Sequence, residues 1–256
     1  MQKPTDFRQL GCSECLEGAG LEFDFTMAFQ PIVNAVSGEI FAHEALVRGP
    51  NGEGAGSVFV HVNDGNRYRF DQACRVKAIR LAAELGMDCM LSINFLPNAV
   101  YRPELCIRTT LNAAQQYGFP TERIIFEVTE GERIEDHPHL RNILEHYQGR
   151  GFHTAIDDFG AGYAGLGLLA EFQSDLIKLD MALIRGIDRD VARVAITRGI
   201  LQMAREMEIA VIAEGVETAA EYAVLRDLGV ELFQGYYFAR PAFQALAKVD
   251  PALLSG

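Results

Sequence analysis

Asp157 and Asp158 stand side by side where the apolar run Ala155-Ile156 gives way to a stretch holding Gly160, Gly162, Gly165 and Gly167. Two carboxylates that close raise one another's pKa, because each anion disfavours the other. A divalent cation relieves the repulsion by supplying positive charge. The pair therefore reads as a metal site at the C-terminal tip of a strand, or as a solvated turn, where Asp and Gly are also favoured. The rest of the chain separates the two readings. Successive apolar runs each deliver a polar group at or near their ends: Glu44 followed by Arg48, Asn94, Glu127 followed by Glu130, the Asp157–Asp158 pair, Lys178, Glu214 followed by Glu217, and Gln234.

Oxygen donors dominate this series, and no His or Cys belongs to it. Hard oxygen ligands select Mg²⁺ or Mn²⁺ over zinc or copper. Adjacent aspartates let one carboxylate bridge a pair of ions, the arrangement used for in-line attack on phosphate esters. Lys178 and Arg48 add the fixed positive charge that a phosphate requires in an acidic protein. The chemistry implied is phosphodiester hydrolysis.

These residues need a scaffold that brings strand ends together. Strands are expected at 28–33, 40–47, 89–95, 124–128, 154–157, 177–179, 209–213 and 232–233, with a turn at Ser37-Gly38 that makes the first two an antiparallel hairpin. Helices are expected at 71–85, 103–117, 139–148, 190–207 and 218–228. Pro103 suits a first helical turn, Gly86 and Gly118 suit C-caps, and Asp190 suits an N-cap. Short, nearly continuous apolar strands are those buried on both faces. The pattern is that of an α/β, closed (β/α)8 TIM-like barrel, because no G-x-G-x-x-G follows the first strand. The C-terminal strand ends of such a barrel open onto one face. The domain is expected over 27–249, with an N-terminal arm at 1–26 and a C-terminal tail at 250–256.

The chain has 256 residues, 49% of them hydrophobic, enough for one large domain. With 35 acidic against 23 basic residues and a net charge of −12, its surface repels nucleic acid polymers and anionic lipid. Neither a signal sequence nor an apolar run long enough for membrane insertion is apparent, and a cytoplasmic location is expected. Five cysteines, an odd number, suit a reducing compartment. Cys12 and Cys15 form a lone C-x-x-C without a second pair at zinc spacing. Cys74, Cys89 and Cys106 are expected to pack as small hydrophobes.

Taken together, these motifs resemble the EAL family of cyclic-diguanylate (c-di-GMP) phosphodiesterases. Glu44-Ala45-Leu46-Val47-Arg48 fits its E-x-L-x-R signature. The other matches are Asn94 in Ser92-Ile93-Asn94, Glu127-Val128-Thr129-Glu130, Asp157-Asp158-Phe159-Gly160, Lys178-Leu179-Asp180, Glu214-Gly215-Val216-Glu217 and Gln234-Gly235. The resemblance runs from about residue 27 to about residue 246. It implies a barrel whose first strand is antiparallel to the others, a homodimer, and hydrolysis of cyclic diguanylate to linear pGpG in bacterial signalling.

By this resemblance, Glu44, Asn94, Glu127 and Asp157 hold one Mg²⁺ or Mn²⁺, and Asp157 with Asp158 holds the second. Lys178 and Glu214 are the catalytic pair, and either stands where a base could act. Leu46 and Arg48 belong to the substrate side, with Arg48 clamping a phosphate, and Gln30, Glu217, Gln234 and Pro241 accompany them. Glu130 supports the loop from 159 to 166. That loop departs from the family: Ala161-Gly162-Tyr163-Ala164-Gly165 stands where Thr-Gly-Tyr-Ser-Ser is common, with three hydroxyls lost. A degenerate member would instead be a non-catalytic cyclic-diguanylate receptor acting through a protein partner, but each expected metal ligand is present.

Overall fold

A computed structural model describes residues 20–100, 102–129, 137–160 and 165–253. Eight strands close a barrel: β1 (Thr26–Asn34), β2 (Glu39–Arg48), β3 (Met90–Asn94), β4 (Ile124–Thr129), β5 (His153–Phe159), β6 (Leu176–Leu179), β7 (Ala210–Ala213) and β8 (Leu232–Gln234). From β2 to β8 each strand pairs parallel with the next, and β1 closes the ring by pairing antiparallel with both β8 and β2. The hairpin at the start is therefore part of the closure. A short β9 (Ala242–Phe243) adds to β1 through an Ala28–Phe243 pairing.

Helices lie between the strands. Among them are α1 (Ala55–Phe59), α2 (Arg67–Glu84), α3 (Pro103–Tyr117), α4 (His137–Gln148), α5 (Gly165–Glu171), α6 (Met181–Ile184), α7 (Val191–Glu206) and α8 (Ala219–Asp227). Their ends follow the local chemistry. Gly118 closes α3 in the left-handed conformation, with φ of 68°. Asp190 caps α7 by accepting from the amides of Ala192 and Arg193. Thr218 and Glu221 form a reciprocal capping box on α8.

Three local expectations change. Helix α2 starts four residues earlier than its apolar spacing suggests, because Tyr68 and Phe70 are buried. A one-turn helix, α1, forms between β2 and α2, where no element was expected. Phe23 and Phe25, expected in the arm, pack near Phe70, with ring centroids at 6.0 and 5.2 Å. Cys12 and Cys15 lie outside the described residues.

The barrel interior is layered. Ile32, Ala42, Ile125, Ala155, Leu176, Ile212 and Leu232 form one apolar cluster that plugs it. Side chains two residues apart on a strand share a face. Two residues further toward the open end therefore stand Gln30, Glu44, Glu127, Asp157, Lys178, Glu214 and Gln234. A dry layer thus forms the floor beneath a polar one, which is why charge can sit inside a barrel that is otherwise a packed core.

Candidate active site

Lys178 is the centre of the polar layer. Its side chain is fully buried, and Nζ lies 3.2 Å from Glu44, 3.1 Å from Glu127, 3.1 Å from Asp157 and 3.3 Å from Glu214. Burial alone would lower the lysine's pKa, but the four carboxylates outweigh it and hold the group well above its ordinary value. Around this cation, Gln234 Nε2 donates to Glu44 (2.7 Å), Asn94 Nδ2 donates to Glu44 (2.7 Å), and Ser92 Oγ donates to Glu127 (2.5 Å). Ser92 was not among the expected site residues. It sits two places before Asn94 on the same face of β3, so strand alternation could have found it.

Asp157 and Asp158 reach one side of the sheet through a break in strand regularity. Ile156 pairs with Ile177 and Phe159 with Leu179, so three steps along β5 match two along β6. This is the signature of a β-bulge. Asp158 takes a left-handed φ of 55°, and Gly160 follows at 98°. The strand was expected to stop at Asp157 but continues to Phe159. Adjacent residues of a regular strand point to opposite faces, so the bulge is what allows both carboxylates into one site.

Two groups of three carboxylates form: Glu44, Glu127 and Asp157, and then Asp157, Asp158 and Glu214, each with its ligand oxygens within 4.8 Å of one another. Asp157 belongs to both. One ammonium does not balance five carboxylates, and the pKa values of Asp158, Glu214 and Glu127 record the strain. Burial, then Asp157 and Asp180, pushes Asp158 up to about 6. Burial, with Asp157 and Glu44, pushes Glu214 up to about 8 against the pull of Lys178. Glu127 is raised chiefly by burial, with Glu44 and Asp157 adding to it. The buried Gln234 Oε1 also has no hydrogen-bond partner among the described residues. Oxygen-only donors, excess negative charge and an orphaned acceptor together fit hard divalent cations.

Two cavities flank this centre and share Glu214. The larger, of about 450 Å³, is lined by Glu44, Asn94 and Asp157 together with Leu46, Arg48 and apolar side chains including Phe59 and Leu96. Arg48 donates to the carbonyl of Val47 at 2.7 Å and makes no ion pair with Glu44 among the described residues. The smaller, of about 180 Å³, is lined by Gln30, Asp158, Asp180, Glu214, Glu217, Gln234 and Tyr236. Gln30 donates to the carbonyl of Ala239 at 3.3 Å, and Glu217 pairs with Arg185 at 2.6 Å. Pro241 lines neither cavity. Glu130 and residues 161–164 of the glycine loop lie outside the described residues. Asp180, Met181 and Tyr236 line the smaller cavity without having been expected there; Asp180 and Tyr236 stand two positions beyond Lys178 and Gln234.

Comparison with known proteins places this geometry. The EAL domain family matches residues 14–241. A standalone versatile EAL protein from Vibrio cholerae O395, solved in a c-di-GMP bound form, is 58% identical, covering 91% of this chain and 99% of that one with a TM-score of 0.89. BlrP1 of Klebsiella pneumoniae, solved in a manganese/cy-diGMP complex at pH 6, is 35% identical over 88% of this chain and 57% of its own, with a TM-score of 0.83. Among curated relatives, the blue light- and temperature-regulated antirepressor BluF of Escherichia coli (strain K12) is 34% identical over 224 residues, 87% of this chain. The cyclic di-GMP phosphodiesterase NbdA of Pseudomonas aeruginosa is 29% identical over 245 residues, 91% of this chain. The chain spans 55% of the length of BluF and 31% of that of NbdA. With a family match over most of its length and a polar layer built from the family's motifs, the chain belongs to the EAL domain family.

Proposed function

We propose that the chain hydrolyses cyclic diguanylate to linear pGpG with the help of two divalent cations, Mg²⁺ or Mn²⁺. The observation that carries this reading is the convergence of Glu44, Glu127, Asp157, Asp158 and Glu214 into two oxygen groups sharing Asp157. The likeness to proteins solved with c-di-GMP and to a cyclic di-GMP phosphodiesterase supports the choice of substrate. When bound, the cations would supply Lewis acidity toward the phosphate and make water acidic enough to attack near neutral pH.

On this reading Glu44, Asn94, Glu127 and Asp157 hold one cation, and Asp157 and Asp158 hold the other. Asn94 spends its amide nitrogen on Glu44, which leaves its carbonyl oxygen as the ligand atom. Lys178 orients the attacking water through a hydrogen bond or stabilises charge developing on the phosphate. Glu214 accepts the water's proton. Arg48 clamps a phosphate from the larger cavity beside Leu46, while Gln30, Glu217 and Gln234 contact the substrate from the smaller one. A cavity on each side of the acidic centre suits a molecule with a base on either side of its phosphates. Pro241 accompanies Gln30, Glu217 and Gln234 on the substrate side, and Glu130 supports the loop from 159 to 166.

We assign the activity to a cytoplasmic homodimer. No helix among the described residues is long and apolar enough to cross a membrane. Exposed Leu166, Met181, Val191 and Ile196 on α5, α6 and α7 supply apolar surface for self-association.

Incubation of the pure chain with cyclic diguanylate and Mg²⁺, Mn²⁺ or Ca²⁺ tests the reading. Formation of pGpG with Mg²⁺ or Mn²⁺, abolished by chelation, is expected, and a generic phosphodiester is expected to react far more slowly. The likeness to the antirepressor BluF favours a second reading, a receptor acting through a protein partner. Intact substrate bound at enzyme excess in Mn²⁺ would select it.

A further inference from the structure

Behind the barrel wall lies a second charged group, which the chemistry above does not use. Arg75 on α2 and Asp71 one turn before it are both buried, with Nη2 of Arg75 2.8 Å from Oδ2 of Asp71. Arg75 Nη1 donates to the Tyr147 hydroxyl at 2.9 Å. The guanidinium also sits 5.4, 4.9 and 5.6 Å from the ring centroids of Phe95, Phe126 and Tyr147. An apolar residue serves packing at least as well as a fully buried ion pair. The pair therefore calls for a task beyond packing.

Its contacts identify that task. Phe95 follows Asn94 on the chain, and Phe126 precedes Glu127 on β4. Neighbouring residues of a strand point to opposite faces, so a ring held on the outer face fixes the inner side chain beside it. Asp71 Oδ1 accepts the backbone N–H of Leu96 at 3.0 Å, tying down the chain two residues past Asn94. The Phe95 N–H donates to the Glu127 carbonyl at 3.0 Å, linking the same two strands at the same level. Asp71 lines the larger cavity together with Asn94 and Glu44. One buried cation thus grips the outer side of two strands where their inner side carries two of the oxygen donors.

We propose that Arg75 and Asp71 are positioning residues for the cation site, setting Asn94 and Glu127 from behind the barrel wall without touching the cation. This rests on reading the polar layer as a divalent-cation site. The test is titration of the full chain with Mn²⁺, followed by electron paramagnetic resonance, alongside thermal melts. R75M leaves Asp71 buried and unpaired and can fail to fold, so R75K and the double variant R75M/D71N, which has no unpaired charge, accompany it. The expected result is Mn²⁺ binding at least tenfold weaker in the double variant than in wild type, with R75K in between, in proteins that still melt cooperatively. A cooperatively folded double variant with a lower Tm but an Mn²⁺ Kd within twofold of wild type would assign the pair to packing alone and overturn the proposal. Absence of specific Mn²⁺ binding in the wild-type chain would overturn the cation reading and this inference with it.

Discussion

Lys178 Nζ and Glu127 Oε2 lie 3.1 Å apart inside the barrel, with both side chains all but sealed from solvent. Removing one partner of such a pair leaves an uncompensated buried charge, which typically costs about 3–5 kcal/mol. Lys178→Met is therefore expected to lower the Tm of the chelator-treated protein. Added Mn²⁺ restores more of that loss than it adds to wild type, because the vacated carboxylates gain a cation. Melts with and without Mn²⁺ check this; equal shifts in both proteins would refute it. Turnover of cyclic diguanylate by the variant is expected to fall by about 100-fold or more.

Gly235 is set by close approach. A Cβ there would fall 2.0 Å from the Val216 carbonyl oxygen and 2.4 Å from its nitrogen. That contact brings the Glu214–Glu217 segment against Gln234, through the Val216 N–H to Gln234 carbonyl bond of 3.1 Å. Gly235→Ala must push the two segments apart. It is expected to cost about 1–3 kcal/mol or more in chemical denaturation and to reduce kcat/KM. Unchanged stability would show that the segments separate freely.

Arg48 is expected to act on substrate rather than on the acidic centre, since it makes no ion pair with Glu44 among the described residues. Arg48→Ala should raise KM by about tenfold, with kcat little changed. A loss confined to kcat would move Arg48 from binding to chemistry.

His43, on the outer face of β2, is buried with Nδ1 3.3 Å from Cys89 Sγ, and burial holds its pKa down at about 4 from 6.5 despite the raising influence of Asp88 and the Ala247 backbone. Between those values the unfolded chain binds the proton more readily than the folded one. Stability from this group is therefore complete above about pH 6.5 and is lost as pH falls toward 4, on the order of 3 kcal/mol in all. His43→Leu is expected to flatten the denaturation midpoint against pH across that window. A slope unchanged by the substitution would assign the pH dependence to other groups.

The barrel and most of the polar layer were legible because period-two alternation fixes them: once apolar strands are placed, their inward polar residues must share one cavity. Glu44, Asn94, Glu127, Asp157, Lys178, Glu214 and Gln234 all carry that signal. The bulge at Asp157–Asp158 was not legible, since a left-handed Asp158 depends on how β5 pairs with β6 rather than on local propensity. Nor was the Arg75–Asp71 pair, which reads on α2 as an ordinary i, i+4 surface salt bridge. Only tertiary packing, with Phe95, Phe126 and Tyr147 around the guanidinium, buries it.

The most direct measurement of the central claim is the number of Mn²⁺ ions held by the wild-type chain and by Asp157→Asn, counted by equilibrium titration with electron paramagnetic resonance. Two ions per chain that are magnetically coupled, giving way to at most one uncoupled ion in the variant, are expected from a carboxylate shared between both oxygen groups. A wild-type chain that holds no specific ion, or a variant that keeps the coupled pair, would contradict the account.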